Sequence, residues 1–217
     1  MRNPRLITDD HYQGLPLHQD HSRSTAYRAD MLERIQALLN EACQSHSKVL
    51  FIRFDVHFPA DRQAPEDNQL IVGFLNRLCQ DLNRRKLDPR YFYCRENGPS
   101  SGRPHYHVFL LLDGHKIQTI KGVLAEVERL WGIALKVDAR GLVDFCNGSS
   151  EGQRYNGIQL RRNDPEFGNT LDYVFKWCGY CAKVSSKEDL GHNVRSFGSS
   201  RVRSAQSNQP STRNQGK

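Results

Sequence analysis

The sequence of 217 residues lacks the features that place a protein in a membrane or outside the cell. No apolar run approaches the roughly 18 residues that a transmembrane helix needs, and the opening MRNPRLITDDHYQG contains no apolar signal core. Of the six cysteines only Cys178 and Cys181 lie close together, which argues against a disulfide framework. We therefore expect a cytoplasmic protein without membrane contact, long enough for one domain with a full core.

Basic residues outnumber acidic ones, 31 to 24, and the net charge of +7 predicts a polyanionic partner. Between Arg195 and Lys217 there are five basic residues and no acidic one. The sequence predicts a flexible arm over residues 1–22, a folded domain over 23–200 and a disordered basic tail over 201–217. That tail is either a solvated end or a segment that grips phosphates.

Hydrophobic periodicity predicts helices and strands in alternation along the domain. Helices are predicted over 25–44, from 65, over about 116–131 and from 164, and strands over 49–58, 91–97, 105–112, 142–146 and 158–161. This order indicates an α+β fold, with an antiparallel sheet that packs helices on one face and leaves the other face open for a ligand.

The stretch GRPHYHVFLLL places His105 and His107 on one face of a predicted strand, because alternate residues of a strand point the same way. Glu96 ends the preceding strand and falls opposite or diagonal to His105 if the two strands pair. Two imidazoles and a carboxylate suit Mg²⁺ or Mn²⁺ with water completing the sphere. The alternative is two unconnected histidines at a strand end. Common zinc hydrolase patterns do not fit, since HxHxDH needs an aspartate where Phe109 stands and HExxH is absent.

The last predicted helix contains YxxK twice, as Tyr173 with Lys176 and Tyr180 with Lys183. The tyrosines are seven residues apart and therefore lie on roughly one helix face. A nearby ammonium group favours the phenolate form of a tyrosine and neutralises a phosphate. The alternative is an amphipathic helix with buried aromatic rings and lysines that reach out to solvent.

Together these patterns resemble the HUH endonuclease superfamily, in which two histidines flank a hydrophobic residue and a helix carries the tyrosine. More narrowly, RFDVHFP, RENGPSSGRPHYHVFLLL and YCAKVSSK are similar to inovirus-type replication proteins, a family that includes the YagK/YfjJ-type C-terminal domain of bacterial mobile elements. The resemblance covers about residues 25–200. It implies a ferredoxin- or RRM-like nuclease fold and rolling-circle nicking of single-stranded origin DNA.

The resemblance also implies roles for individual residues. His105 and His107 become metal ligands with Glu96 as the third, and Tyr180 becomes the nucleophile ahead of Lys183. Tyr173 is then either a second nucleophile or a core residue. No Walker A pattern is present, so unwinding would need a host helicase, and replication a host polymerase.

Further polar residues are assigned by their place in the pattern. Asp55 and His57 lie on the first strand, where each either approaches the metal or has a structural partner. The residues expected to contact DNA are all basic: Arg95, Arg103, Lys176, Arg195 and Arg201.

Two other functions compete with a nickase. CGYC, which places Cys178 and Cys181 around Tyr180, resembles a redox dithiol, but such a motif needs a helix N-terminus after a strand and here a helical pattern precedes it. The second alternative is a non-catalytic DNA-binding or regulatory protein that keeps the same fold.

Overall fold

The computed structural model describes residues 4–18, 25–98, 103–117, 119–146, 156–184 and 195–203. The helices in these residues are α1 (Ala29–Ser45), α2 (Gln69–Arg84), α3 (Lys121–Leu135) and α4 (Phe167–Gly179), which a 3₁₀ turn at Tyr180–Ala182 continues. The strands in chain order are β1 (Leu6–Ile7), β2 (His11–Tyr12), β3 (Leu15–Pro16), β4 (Tyr27–Arg28), β5 (Lys48–His57), β6 (Arg90–Asn97), β7 (Pro104–Asp113), β8 (Val143–Asp144), β9 (Ile158–Arg161) and β10 (Phe197–Ser199). No helix within these ranges is long and apolar enough to cross a membrane.

A six-stranded antiparallel sheet forms the centre of the molecule. Its order is β10-β6-β7-β5-β8, and β9 pairs with the first half of β5 on the same edge as β8. The β6–β7 register places Glu96 opposite His105, and the β5–β7 register places Asp55 opposite His107. The α+β class and the predicted hairpin are thereby confirmed.

Helices cover both faces of the sheet, so the predicted packing on one face is wrong. α2 and α3 pack on the face that carries Leu50, Val108 and Leu110. α1 and α4 pack on the opposite face against Phe51 and Phe109. The physical reason is that VLFIRF and HVFLLL are continuous apolar runs, which bury side chains on both sides of a strand. The second face is therefore apolar in its middle and polar at its two ends, one with Asp55 and His107 and the other with Arg90.

The amino-terminal segment packs on the domain over residues 4–18, where the sequence predicted a flexible arm. β1 pairs with β4, and β2 and β3 form a small hairpin. Ile7 and Leu17 are buried in the core beneath α1 and α4, and this burial of apolar side chains is what holds the segment. Residues 1–3 and 19–24 lie outside the described part of the chain.

The carboxy-terminal segment adds β10 to the edge of β6. Gly198 is required there, because a Cβ atom at this position would lie only 2.6 Å from Cε1 of the Tyr93 ring. The segment continues to Arg203, whose backbone N–H donates to Glu41 at 3.0 Å. The first residues of the predicted tail are thus anchored, and residues 204–217 lie outside the described ranges.

Candidate active site

Glu96, His105 and His107 form a cluster whose ligand atoms all lie within 4.8 Å of one another. Strand pairing produces it, since Glu96 and His105 are directly opposite on β6 and β7 and His107 is two residues further along the same face. The donors are one carboxylate oxygen and two imidazole nitrogens, a set that suits a divalent cation. The structure thus brings together the three residues that the sequence pattern selected.

His107 is held between two carboxylates. Its Nδ1 lies 2.7 Å from Oδ2 of Asp55, and its Nε2 lies 3.2 Å from Oε2 of Glu96. Burial opposes the charged imidazole, but the bonds to Asp55 and Glu96 outweigh it and raise the pKa of His107 to about 9. With Nδ1–H donated to Asp55, Nε2 faces Glu96 and is the nitrogen available to a cation. The sequence left open whether Asp55 approaches the metal or has a structural role. In the structure it orients the imidazole of His107 through the ring nitrogen that faces away from the candidate metal site.

His105 is stacked against His57, its register partner on β5, with ring centroids 5.4 Å apart and planes 13° apart. Burial and the neighbouring His107 lower the pKa of His105, which favours the neutral imidazole that ligates metals. The backbone oxygen of His57 accepts a 2.9 Å hydrogen bond from the Trp131 indole. His57 thus supports the ring of His105 by stacking, and its own backbone is hydrogen-bonded to Trp131 of α3.

Tyr180 lies beside this cluster at the start of the 3₁₀ turn. Its ring centroid is 6.0 Å from that of His107, with the two rings nearly perpendicular. Nζ of Lys183 lies 4.8 Å from the centre of the Tyr180 ring, so the second YxxK motif closes over its own tyrosine. The residue is 38% exposed. A phenol that is partly open to solvent therefore adjoins the candidate metal ligands.

The turn that carries Tyr180 is held by residues that precede α1 in the chain. Lys183 forms an isolated bridge with Tyr27, and the N–H of Val184 donates to the Ala26 carbonyl at 3.0 Å. Leu17 packs against Gly179, where an added Cβ would lie 3.3 Å from the leucine Cδ2. Leu17 of the predicted arm, together with residues 26 and 27 of the predicted domain, thus supports the position of Tyr180.

Tyr173 lies two helical turns before Tyr180, about 10 Å away along the axis. Its ring packs edge-on against Trp177, with centroids 6.0 Å apart, at the margin of the core beneath α1 and α4. Of the two YxxK tyrosines, Tyr180 is the one whose ring meets His107.

Arg95 does not take the place predicted for a DNA contact. It projects to the sheet face opposite Glu96 and is 6% exposed. Its guanidinium donates to the carbonyls of Pro65 and Asp67 at 2.8 and 2.7 Å and to the Tyr106 hydroxyl at 3.0 Å. These bonds hold the loop before α2, which is why that helix begins at Gln69 and not at the predicted residue 65.

The other four basic residues predicted to contact DNA are exposed, but they lie at different distances from the candidate metal ligands. Arg103 directly precedes β7, and Arg195 adjoins Ser196, whose carbonyl accepts from the backbone of Arg95. Both lie at the end of the sheet that carries the cluster, and Lys176 is on the last turn of α4. Arg201 follows Ser200, which bonds Tyr91 near the opposite end.

Arg53 is a site residue that the sequence reasoning missed. It is 7% exposed, and its Cζ lies 5.6 Å from the ring centre of Tyr180 and 5.8 Å from that of Trp177. The Asn156 side chain bonds both backbone groups of Arg53, so this part of β5 is fixed. A signal was present, because Arg53 and Asp55 occupy alternate positions of an otherwise apolar strand, on the His107 face.

Cys178 and Cys181 are buried and not joined in a disulfide, which weakens the redox alternative. Burial raises the pKa of Cys178 well above its ordinary value, so the reactive thiolate is disfavoured. The pair also lies at the carboxy-terminal end of α4 and not at a helix N-terminus.

Comparison with known proteins gives one strong match and one weak one. The family model of the YagK/YfjJ C-terminal domain matches residues 8–200. A search of curated proteins gave no match. Among solved structures, the N-terminal nuclease domain of non-structural protein 1 of minute virus of mice matches with a TM-score of 0.36 and 12% identity, over 68% of this chain and 83% of that domain. A likeness at this level assigns neither a fold nor a site.

Proposed function

The chain belongs to the YagK/YfjJ C-terminal domain family, and we propose that it is a metal-dependent nickase of single-stranded DNA that uses Tyr180 as its nucleophile. One observation carries the proposal. The phenol of Tyr180 packs against His107, within a cluster of three potential ligands for a divalent cation. Neither feature alone is specific, but their contact brings a nucleophile to a site that fits the binding of a phosphate-activating ion.

The metal would be held by Glu96, His105 and His107. The fit rests on the donor set and on Asp55, whose carboxylate accepts a hydrogen bond from Nδ1 of His107 and leaves Nε2 directed at Glu96. When bound, Mg²⁺ or Mn²⁺ would polarise the scissile phosphodiester and offset the charge that develops on it.

The residues of the chain perform the remaining steps. The Tyr180 oxygen forms a bond to phosphorus, the bond from phosphorus to the departing sugar oxygen breaks, and the phenol proton goes to solvent while that sugar oxygen takes one up. The Lys183 ammonium, beside the Tyr180 ring, stabilises negative charge on the phenol and the phosphate. The phosphotyrosine ester conserves the energy of the broken bond, so the strand is rejoined by reversal without ATP.

The proposal extends to the rolling-circle, inovirus-type role that the motifs resemble. Exposed Arg103, Lys176 and Arg195 are proposed to contact phosphates on either side of the nicked bond. Single-stranded DNA fits a site of this kind, because the scissile phosphate must reach the cluster of Glu96, His105 and His107 between the ends of β6 and β7 and the turn that carries Tyr180. A host helicase and polymerase would act with it on the replication origin of a mobile element.

The test is formation of a covalent protein–DNA adduct. The full chain is incubated with a randomised single-stranded DNA library and Mn²⁺ or Mg²⁺, and adducts that survive denaturation are collected, with the modified tyrosine identified by peptide mass. We expect adducts at Tyr180 that disappear in Tyr180→Phe and on chelation of the metal, and that persist in the matched control Tyr173→Phe. Duplex DNA of the selected sequence serves as the substrate control.

Two outcomes would contradict the proposal. An adduct that survives in Tyr180→Phe and is lost in Tyr173→Phe moves the nucleophile to the other motif. Library DNA that binds the wild-type chain tightly but never becomes attached would instead favour the non-catalytic DNA-binding alternative.

A further inference from the structure

Arg53 and Asp55 are the part of the site that the proposed chemistry does not use directly. Buried polar atoms in folded proteins nearly always have a hydrogen-bond partner. In the described part of the chain, Nε of Arg53 and Oδ1 of Asp55 are buried without one. The two atoms face each other at 3.6 Å, close enough for charge attraction but too far for a good hydrogen bond. The guanidinium is therefore held by other contacts.

Those other contacts lead to both halves of the site. Nη2 of Arg53 lies 3.2 Å from Nδ1 of His107. On the other side, Nη1 lies 3.5 Å from the carbonyl oxygen of Trp177, in the last turn of α4, and the guanidinium carbon lies over the rings of Trp177 and Tyr180. One planar group thus touches a metal ligand and the side chain proposed as nucleophile.

The two sides of this contact differ in how firmly they are held. Arg53 lies on a central strand, and the Asn156 amide accepts from its N–H at 2.9 Å and also donates to the Phe145 carbonyl at 2.6 Å. Tyr180 lies on a short 3₁₀ turn and is 38% exposed. A cation near a helix C-terminus interacts favourably with the helix dipole, so Arg53, held on β5, stabilises the end of α4 through its contact with the Trp177 carbonyl.

We propose that Arg53 is a positioning residue that fixes the Tyr180 ring against His107. For its effect on catalysis the inference rests on the proposed nickase function, whereas the contact between Arg53 and Tyr180 does not depend on it. Arginine is required because a planar guanidinium stacks on two rings while one of its nitrogens reaches the carbonyl of Trp177. At 7% exposure, Arg53 is not available to a DNA phosphate.

The first experiment observes the ring directly. The full chain is labelled with fluorotyrosine, and its fluorine NMR spectrum is assigned with Tyr180→Phe and Tyr173→Phe. In Arg53→Lys, which keeps the charge but loses the plane, we expect the Tyr180 resonance to shift and broaden while that of Tyr173 stays in place. Arg90→Lys, a buried arginine on β6 at the opposite end of the sheet, is the matched control and leaves both resonances unchanged.

The second experiment separates positioning from binding. Adduct formation is followed in a single turnover with an oligonucleotide selected from the library by the wild-type chain. We expect the rate at saturating DNA to fall about 100-fold in Arg53→Lys, as for a misplaced reacting group. The DNA concentration that gives half saturation and the Mn²⁺ affinity measured by calorimetry stay as in the wild type.

Each contrary result overturns the inference in a different way. An unchanged Tyr180 resonance shows that Arg53 does not hold the ring, and a raised half-saturation concentration at unchanged rate makes it a DNA contact. Loss of Mn²⁺ affinity with the Tyr180 resonance unchanged limits Arg53 to supporting His107.

If the wild-type chain forms no adduct, the nickase proposal fails, while the fluorine spectrum still shows whether Arg53 holds the Tyr180 ring. If Arg53→Lys does not fold, Trp177→Leu, which removes one stacking face, is expected to shift the Tyr180 resonance.

Discussion

The two ends of the central sheet each place a buried arginine and a histidine among carboxylates, but only one end has a complete set of hydrogen bonds. At the end away from the candidate metal ligands, here called the distal network, Arg90 donates to Glu41 at 3.0 Å, to Asp88 at 2.8 Å and to the Ser45 hydroxyl at 3.0 Å. His46 bonds the same Asp88 carboxylate at 2.8 Å. Every nitrogen of the Arg90 guanidinium has a partner.

The site end has similar residue types in a looser arrangement. Arg53 faces Asp55 at 3.6 Å, and its Nε has no hydrogen-bond partner within the described ranges. His107 lies between two carboxylates, and the Tyr180 ring beside it, 6.0 Å from the His107 ring, remains 38% exposed. Incomplete satisfaction of buried polar groups is typical of sites that a ligand completes, whereas complete networks hold a fold together.

The largest expected effect is therefore on stability, and it belongs to the distal network. Arg90→Met leaves Glu41 and Asp88 without their buried cation, and loss of one member of a buried ion pair costs about 3–5 kcal/mol in the free energy of unfolding. We expect this loss in chemical denaturation, together with unchanged Mn²⁺ affinity of the folded variant.

Arg53→Met is the matched substitution at the site end. We expect it to lower the free energy of unfolding by less, because Nε of Arg53 has no hydrogen-bond partner in the described residues, whereas every guanidinium nitrogen of Arg90 loses one. An equal loss at the two ends would contradict the division into a structural network and a functional site.

The next effect in size is on metal binding. Asp55→Asn replaces the charged carboxylate that fixes the Nδ1 proton of His107 with a neutral amide, and loss of such a supporting carboxylate weakens metal binding by about 10–100-fold. Calorimetric titration with Mn²⁺ measures this. Asp88→Asn, which alters the equivalent carboxylate beside His46, is the control and leaves Mn²⁺ affinity unchanged. A similar loss of affinity in both variants would show that the effect is general and not exerted through His107.

Most of the fold was predictable because its long elements have clear periodicity. β5, β6, β7 and the four helices were all indicated by the spacing of apolar residues. Of the strands of two or three residues, β8 was predicted within 142–146, but β1 to β4 and β10 were not, since such short segments have no period and form only through contacts with distant residues. Helices on both faces could have been inferred from the continuous apolar run in β7.

The site was predictable where chemistry followed strand alternation. His105, His107 and Glu96 were selected in this way, and Tyr180 was selected by its motif. Arginine was the difficult case, because an arginine in a strand of a basic protein is most simply interpreted as a DNA contact. Alternation from Glu96 places Arg95 on the opposite face, and alternation from Asp55 places Arg53 on the site face. Which arginine is buried depends on α4 and on the loop before α2, and no local pattern encodes that packing.

The smallest expected effect is the pH dependence of the distal network. Burial alone would raise the pKa of Asp88, but hydrogen bonds from Arg90 and His46 and the charges of Arg90 and Arg203 lower it from 3.8 to about 2. A carboxyl whose pKa is lowered by folding stabilises the folded state above its unfolded pKa, and that contribution disappears as the pH falls from about 4 to about 2. Asp88 has a φ of 46°, which asparagine also tolerates, so Asp88→Asn leaves the backbone in place.

We therefore expect Asp88→Asn to reduce the slope of the unfolding free energy against pH in this window, measured by chemical denaturation at a series of pH values. The control is Asp138→Asn, because Asp138 pairs with Arg140 at the surface, where solvent screens the interaction and the slope should remain near that of the wild type. If Asp88→Asn and Asp138→Asn change the slope of the unfolding free energy against pH equally, the distal network is no better shielded from solvent than an exposed ion pair. The complete hydrogen bonding of the distal network would then not explain why the two ends of the sheet differ.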